Sequence, residues 1–157
     1  MLAILGGAIA VVVVVVVIVL AVGGSGNSPT ATVNGFIQAI LSNNGTAVCS
    51  YFEPAEQSSC DANSSAFKGA SGNGQAVNQV IQGNKALVAV TGQLCAPFIS
   101  SGGSDCSSNS DPSTGMPGNG VSFDQAYAAA VSSSNNGVSP VPLIEVSGKW
   151  YVTTTGS

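Results

Sequence analysis

The residues best suited to do chemistry in this 157-residue chain are its four cysteines. They fall into two pairs whose members stand eleven positions apart, Cys49 with Cys60 and Cys95 with Cys106. A zinc site is disfavoured because its cysteine ligands are closely spaced and often joined by histidine, which this chain lacks. Of the three possible disulfide connectivities we predict Cys49–Cys60 and Cys95–Cys106, since each closes a local loop that stabilises by roughly 2–3 kcal/mol. Four free thiols in a reducing compartment are the alternative.

The acidic side chains form no catalytic constellation. Glu53 and Glu56 lie three positions apart and fit a solvated helix face, whereas Asp124 is explained by the helix dipole in a first helical turn. Residues 65–68 match the Ser-x-x-Lys pattern of penicillin-binding enzymes, but the companion motifs are absent. We therefore predict no catalytic residue, no metal site and no cofactor.

The charge of the chain excludes one class of partner. Its cations are Lys68, Lys85 and Lys149, and the formal net charge is −4. Nucleic-acid binding requires a basic patch that neutralises phosphates, so no nucleic acid is expected as a partner. Charged residues make up 6% of the chain, against about 25% in ordinary soluble domains. The surface must therefore be polar mainly through Ser, Asn, Gln, Thr and Gly.

The apolar first segment decides the predicted location. Residues 2–22 are apolar apart from Gly6 and Gly7, and about 20 such residues cross a bilayer as a helix. We predict a transmembrane anchor over 1–22, a linker over 23–28 and one domain over 29–157. The predicted location is the cell membrane, single-pass, with the C-terminal domain outside the cytoplasm. A cleaved signal peptide, which would make the protein secreted, is the alternative, although such segments usually start with basic residues.

Two stretches of the domain have the pattern of helices. Ser28 and Pro29 are typical of a helix start, and apolar residues recur with helical spacing from Val33 to Leu41. Ser122 and Gln125 form a capping box before a second apolar stripe. We expect a helix after each of these starts.

Two further stretches have the pattern of β-hairpins. Gly83-Asn84 is a two-residue turn between strands predicted over 75–82 and 85–95. Ser147-Gly148 separates strands predicted over 141–146 and 149–155. Residues 97–120 are rich in Ser, Gly, Pro and Asn, and predict a long loop clipped by Cys106.

Four stretches, taken in this order, resemble one known family: Phe36–Leu41, Cys49, Ala86–Gly92 and Gly148–Val152. The chain resembles the NTF2-like (SnoaL-like) superfamily, in its branch of exported or membrane-anchored bacterial proteins. The resemblance implies an α+β fold, a cone made of a curved antiparallel sheet with N-terminal helices packed on it. Here the cone would be preceded by one transmembrane helix. It also implies a pocket, for which we take as candidate lining residues Phe36, Tyr51, Tyr127 and Trp150.

The resemblance does not fix a function, because the superfamily holds isomerases, dehydratases, secretion-system subunits and binding domains. Since no catalytic constellation is present, we expect a membrane-anchored extracytoplasmic domain of non-enzymatic type. Its expected partners are the membrane, through the N-terminal helix, and an envelope protein or a small apolar ligand. A structural or assembly subunit of an envelope or secretion complex is the alternative. A small isomerase or dehydratase is least favoured, because it needs a buried carboxylate with a raised pKa.

Overall fold

The computed structural model describes residues 28–96, 106–133 and 140–155. They form an α+β fold in which one curled antiparallel sheet carries helices on both faces. The helices are α1 (Pro29–Leu41), α2 (Gly45–Cys49), α3 (Pro54–Ala62) and α4 (Phe123–Ser133), and a 3₁₀ turn follows α3 at Ser64–Phe67. The strands are β1 (Ser71–Gly72), β2 (Gln75–Gln82), β3 (Lys85–Cys95), β4 (Cys106–Asn109), β5 (Val141–Val146) and β6 (Lys149–Val152).

Strand β3 is the centre of the sheet, because it pairs with four other strands. Its first half lies between β2 and β5, and its second half lies between β1 and β4. Strand β6 then pairs with the outer side of β5, and every one of these strand pairs is antiparallel. Residues 86–90 of β3 are buried, as expected for a strand that is covered on both faces.

Alternate residues of β3 point into two different cores. Ala86, Val88 and Val90 pack with α1 residues such as Val33 and Ile37. On the other face, the fully buried Leu87 packs against α4, through its residues Phe123, Ala126, Tyr127 and Ala130. The sheet is therefore the middle layer of three, with α1 on one side and α4 on the other.

Helix α1 begins where the sequence predicts, with Pro29 in its first turn. The Ser28 hydroxyl accepts a hydrogen bond from the Ala31 N–H at 3.2 Å. A second cap comes from the sheet: the Gln79 side-chain oxygen accepts the Thr30 N–H at 3.0 Å and the Thr30 hydroxyl at 2.7 Å. Because the first N–H groups of a helix have no partner inside it, these bonds stabilise α1 and attach it to β2.

Strand β2 forms an edge of the sheet, and its backbone is protected by side chains. The Ala76 N–H donates to the Asn34 side chain at 2.9 Å, and the Gln79 N–H donates to the Asn78 side chain at 2.8 Å. The register with β3 shifts between Ala76 and Asn78, so Val77 sits in a bulge. A bulge bends an edge strand and interrupts its pairing surface.

The local predictions that rest on caps and turns are confirmed. Strands β2 and β3 join at Gly83-Asn84, and the Ser122 and Gln125 side chains form the reciprocal bonds of a capping box. The long loop predicted over 97–120 is wrong in part. Residues 106–109 form β4, because the Cys95–Cys106 disulfide and the pairing with β3 place this polar segment on the sheet. Residues 97–105 lie outside the described residues.

The predicted transmembrane helix must be corrected. In the described part of the chain, no helix is long and apolar enough to cross a membrane. The longest, α1, has 13 residues, fewer than the about 20 that a crossing requires. Within residues 28–96, 106–133 and 140–155 the fold is α+β without a spanning helix, and the predicted single-pass membrane location finds no support there. The anchor predicted over 1–22 lies outside the described residues, as does the linker up to residue 27.

Two isoleucines of different burial test this description of the core. Ile37 is 2% exposed on α1, whereas Ile81 is 48% exposed on β2. We expect Ile37→Ala to lower the free energy of unfolding by about 2–5 kcal/mol, because it leaves a cavity between α1 and the sheet. The matched variant Ile81→Ala should cost less than about 1 kcal/mol. Urea denaturation measures both, and equal losses would contradict the placement of α1.

Candidate functional site

One open cleft of about 450 Å³ lies between α3, the 3₁₀ turn and the C-terminal residues that follow β6. Two half-buried aromatic rings, those of Phe52 and Phe67, are part of its wall. Hydroxyl and amide groups supply most of the polar atoms. The complete lining is Phe52, Ala55, Glu56, Ser59, Cys60, Asn63, Ala66, Phe67, Thr154 and Thr155.

Helix α3 forms one side of the cleft and is held there in an unusual way. None of its nine residues is buried in the described part of the domain. Pro54 stands in its first turn, as the fixed φ of proline favours, and Glu56 places a negative charge near the positive end of the helix dipole. The Cys49–Cys60 disulfide ties its last turn to α2, where Cys49 is 1% exposed. A covalent bond thus takes the place of an apolar face.

The other side of the cleft is the C-terminal segment, which is attached to the start of α3. The Val152 N–H donates to the Tyr51 carbonyl oxygen at 2.8 Å, and the Glu53 N–H donates to the Val152 carbonyl oxygen at 3.0 Å. Glu56 accepts hydrogen bonds from Thr154, at 3.0 Å from the backbone N–H and 2.7 Å from the hydroxyl. Glu53 accepts the Thr153 hydroxyl at 3.1 Å. Both glutamates therefore position the end of the chain.

This arrangement can bind but offers little for catalysis. Among the described residues that line the cleft, Glu56 alone can ionise, since Cys60 is in a disulfide. No acidic side chain is buried within the described residues. Nor do those residues contain a group of three His, Cys, Asp or Glu that could hold a metal ion. The cleft therefore presents aromatic surface, hydrogen-bonding groups and one carboxylate that is already engaged.

The four residues proposed as pocket lining lie elsewhere, and none borders this cleft. Trp150 is buried with the α1 core, whereas Tyr127, a residue of α4, is buried on the opposite face of the sheet. Phe36 and Tyr51 meet edge to face, with ring centroids 6.3 Å apart. Phe36 also meets the cleft residue Phe52 edge to face at 5.6 Å, so it supports the wall from behind.

Sequence reasoning did not single out the aromatic residues of the cleft, Phe52 and Phe67. Both look like ordinary core positions, and both pack partly on the cluster beside α2. The available signal was the predicted Cys49–Cys60 loop, which the structure contains together with Cys95–Cys106. A closed loop that holds a helix without an apolar stripe leaves that helix on the surface, where a cleft can form beside it.

The ionisation of Tyr127 is altered because α4 buries its side chain against the sheet. Its hydroxyl donates to the Leu143 carbonyl oxygen at 3.1 Å, and its ring lies 4.9 Å from the Lys85 Nζ. Burial is the main cause that raises the pKa of Tyr127 to about 12, and the negative charges of Glu53 and Glu56 act in the same direction. The hydroxyl stays protonated and serves as a donor that joins α4 to β5.

No protein-family model matches the chain, and no curated protein matches it. Among solved structures, it is similar to the solution structure of a SEC-C motif containing protein from Rhodopseudomonas palustris. The TM-score is 0.50 and the sequence identity is 13%, over 85% of this chain and 81% of that chain. At that identity the likeness shows the fold alone.

The assignment to the NTF2-like superfamily is therefore wrong, since the solved structure to which the chain is similar is that of a SEC-C motif protein. The reason lies in the residues that carried the resemblance. Ala86–Gly92 belongs to β3, and Gly148–Val152 contains the last turn and β6. Alternating apolar residues beside a glycine turn occur in hairpins of many antiparallel sheets, so these stretches indicate the secondary structure and not the family.

The raised pKa of Tyr127 gives a prediction for alkaline solution. The unfolded chain releases this proton near pH ~10, whereas the folded domain keeps it up to about pH 12. The contribution to stability is thus complete below about pH 10 and is lost as the pH rises through about 12. We expect Tyr127→Phe to lower stability by about 1 kcal/mol at neutral pH and to flatten this alkaline decline.

Urea midpoints at about pH 9 and about pH 11 measure the effect. Tyr151→Phe is the control, since the half-buried Tyr151 lies on the last strand. An alkaline decline that is equally steep in wild type and in Tyr127→Phe would contradict the assignment.

Proposed function

We propose that the domain is a non-enzymatic binding domain, and that its ligand is an apolar side chain carried on a short segment of a partner protein. The observation that carries this proposal is the open cleft walled by Phe52 and Phe67 beside α3. The two disulfides fit work in an oxidising compartment, where such bonds persist.

The size and chemistry of the cleft support a ligand of this class. Its volume of about 450 Å³ lies within the roughly 300–1,000 Å³ of small-molecule sites. Half-buried aromatic rings offer apolar contact at little entropic cost, and aromatic residues are frequent where partners bind. The hydroxyl of Ser59 and the side-chain amide of Asn63 border the same space. One Asn63 amide N–H donates to the Ser59 carbonyl oxygen at 2.9 Å, so its amide oxygen and the Ser59 hydroxyl are the groups that can bond a peptide backbone.

The alternative of an assembly subunit that contacts its complex through edge strands is supported less well. On the edge strand β2, Val77 and Ile81 are exposed, which favours a contact. However, the N–H groups of Ala76 and Gln79 already donate to side chains, and the bulge at Val77 interrupts the pairing surface. An isomerase or dehydratase is disfavoured because the carboxylate next to the cleft, Glu56, is bonded to Thr154 and is not buried.

Amide-capped amino acids are the simplest probes of the proposed site. N-acetyl-phenylalanine amide and N-acetyl-leucine amide each present an apolar side chain between two peptide groups. We expect both to shift the backbone NMR signals of Ala55, Ser59, Asn63 and Thr154, which border the cleft. N-acetyl-aspartate amide should shift them least, because a carboxylate gains nothing from apolar walls beside Glu56.

Two neighbouring exposed serines of α3, which point in different directions, provide a matched pair of tryptophan variants. Ser59 lines the cleft and Ser58 does not, although both are exposed. We expect Ser59→Trp to fill the cleft and weaken probe binding by about tenfold or more, which corresponds to at least about 1.4 kcal/mol. Ser58→Trp should bind the probes with the affinity of the wild type. Equal binding by both variants, or probe shifts that map elsewhere, would refute the proposed site.

A further inference from the structure

We propose that the Cys49–Cys60 disulfide is a redox-controlled latch, and that its reduction by a dithiol releases α3 and dissolves the cleft. The proposal rests on the proposed function for what the cleft does. The release of the helix itself can be measured without a ligand.

The way in which α3 is attached makes the disulfide decisive. The helix buries none of its nine residues, and its main contact is with the short helix α2. Its first turn is held by the hydrogen bonds that Thr154 donates to the Glu56 carboxylate. The Gln57 side chain also donates to the Phe52 carbonyl oxygen at 2.9 Å. The last turn is held by Cys60 through its bond to Cys49. A helix this short is marginal in water without tertiary support, so loss of the bond should unwind it from its last turn.

The two sulfur atoms differ in their access to a reductant. Cys49 is 1% exposed inside the core, whereas Cys60 is half-buried and borders the open cleft. A dithiol whose thiolate enters the cleft therefore attacks the Cys60 Sγ, and the disulfide breaks with Cys49 as the leaving group. This first step gives a mixed disulfide between the reductant and Cys60, and the Cys49 sulfur takes up a proton.

The second step completes the exchange. The second thiol of the reductant attacks the reductant's first sulfur, which is bonded to Cys60 in the mixed disulfide. This attack releases the Cys60 thiolate, which then takes up a proton. Two electrons and two protons thus pass to the protein, and the reductant leaves as a disulfide. The resulting Cys49 thiol behaves as a small apolar side chain, so it can stay in the core while α3 departs. The rest of the domain should therefore remain folded.

The second disulfide is a control within the same chain. Cys95 and Cys106 face each other on β3 and β4. The backbones of these two strands also pair, from Gly92 opposite Asn109 to Cys95 opposite Cys106. The Asn109 side chain adds a bond to the Val90 carbonyl oxygen at 2.9 Å. Neither cysteine borders the cleft. Loss of the Cys95–Cys106 disulfide should therefore leave α3 and the cleft unchanged.

Hydrogen exchange followed by mass spectrometry on the full oxidised chain tests the latch. We compare wild type with and without dithiothreitol, the double variant Cys49→Ala with Cys60→Ser, and the control Cys95→Ala with Cys106→Ser. We expect reduction, and the first double variant, to speed exchange in α3 by about 100-fold or more. Exchange in α1 and β3 should stay slow. The control variant should exchange in α3 as the oxidised wild type does.

Several results would overturn the latch. One is an α3 that stays equally protected after reduction and in the first double variant. Another is loss of protection in β3 together with α3, which would make the disulfide a staple of the whole fold. Reduction of the wild type checks the variants, because it replaces no residue. N-acetyl-phenylalanine amide separates the two proposals: unchanged probe binding after α3 is released refutes the binding site and leaves the latch standing.

Discussion

The pairing of β3 along both of its edges is the interaction on which the rest of this domain depends. One continuous strand of 11 residues pairs with β2 and β5 at its start and with β1 and β4 at its end. Its successive side chains enter opposite cores, so α1 and α4 each find an apolar surface on the same strand. Segments that are far apart in the sequence are thereby brought to fixed distances from one another.

The position of the cleft depends on β3 only indirectly, through β5, β6 and the segment that follows β6. Strand β6 is placed by β5, and the segment after it reaches the start of α3 through Val152 and Thr154. Glu56 and Thr154 are separated by 98 positions, yet they share three hydrogen bonds. A site built in this way is positioned by backbone pairing and by the disulfide, and its polar atoms come mainly from uncharged hydroxyl and amide side chains. That is why a chain with so few charged residues can form it.

Local rules explain which parts of this structure were predictable from the sequence. Ser28, Gly83-Asn84 and the equal cysteine spacings act over a few residues, and each produced the expected cap, turn or closed loop. The side of the sheet on which Trp150 lies, and the contact of Phe52 with Phe36, depend on how strands align after folding. A strand exposes its side chains alternately, so the sequence offers two equal choices and only long-range packing decides between them. The family assignment failed for a related reason, since it was inferred from hairpin stretches that many antiparallel sheets share.

The protected edge of β2 has a consequence for how molecules of this protein meet. Proteins commonly guard an edge strand with lysine, whose charge repels an approaching strand. The segment Gln75–Gln82 carries no charged side chain, and asparagine side chains accept hydrogen bonds from two of its backbone N–H groups instead. This guard is short-ranged and does not depend on ionic strength, whereas repulsion between charges fades as salt is added. At high salt and high protein concentration, the β2 edge therefore keeps its protection against pairing with a strand of another molecule, which is the first step toward fibres.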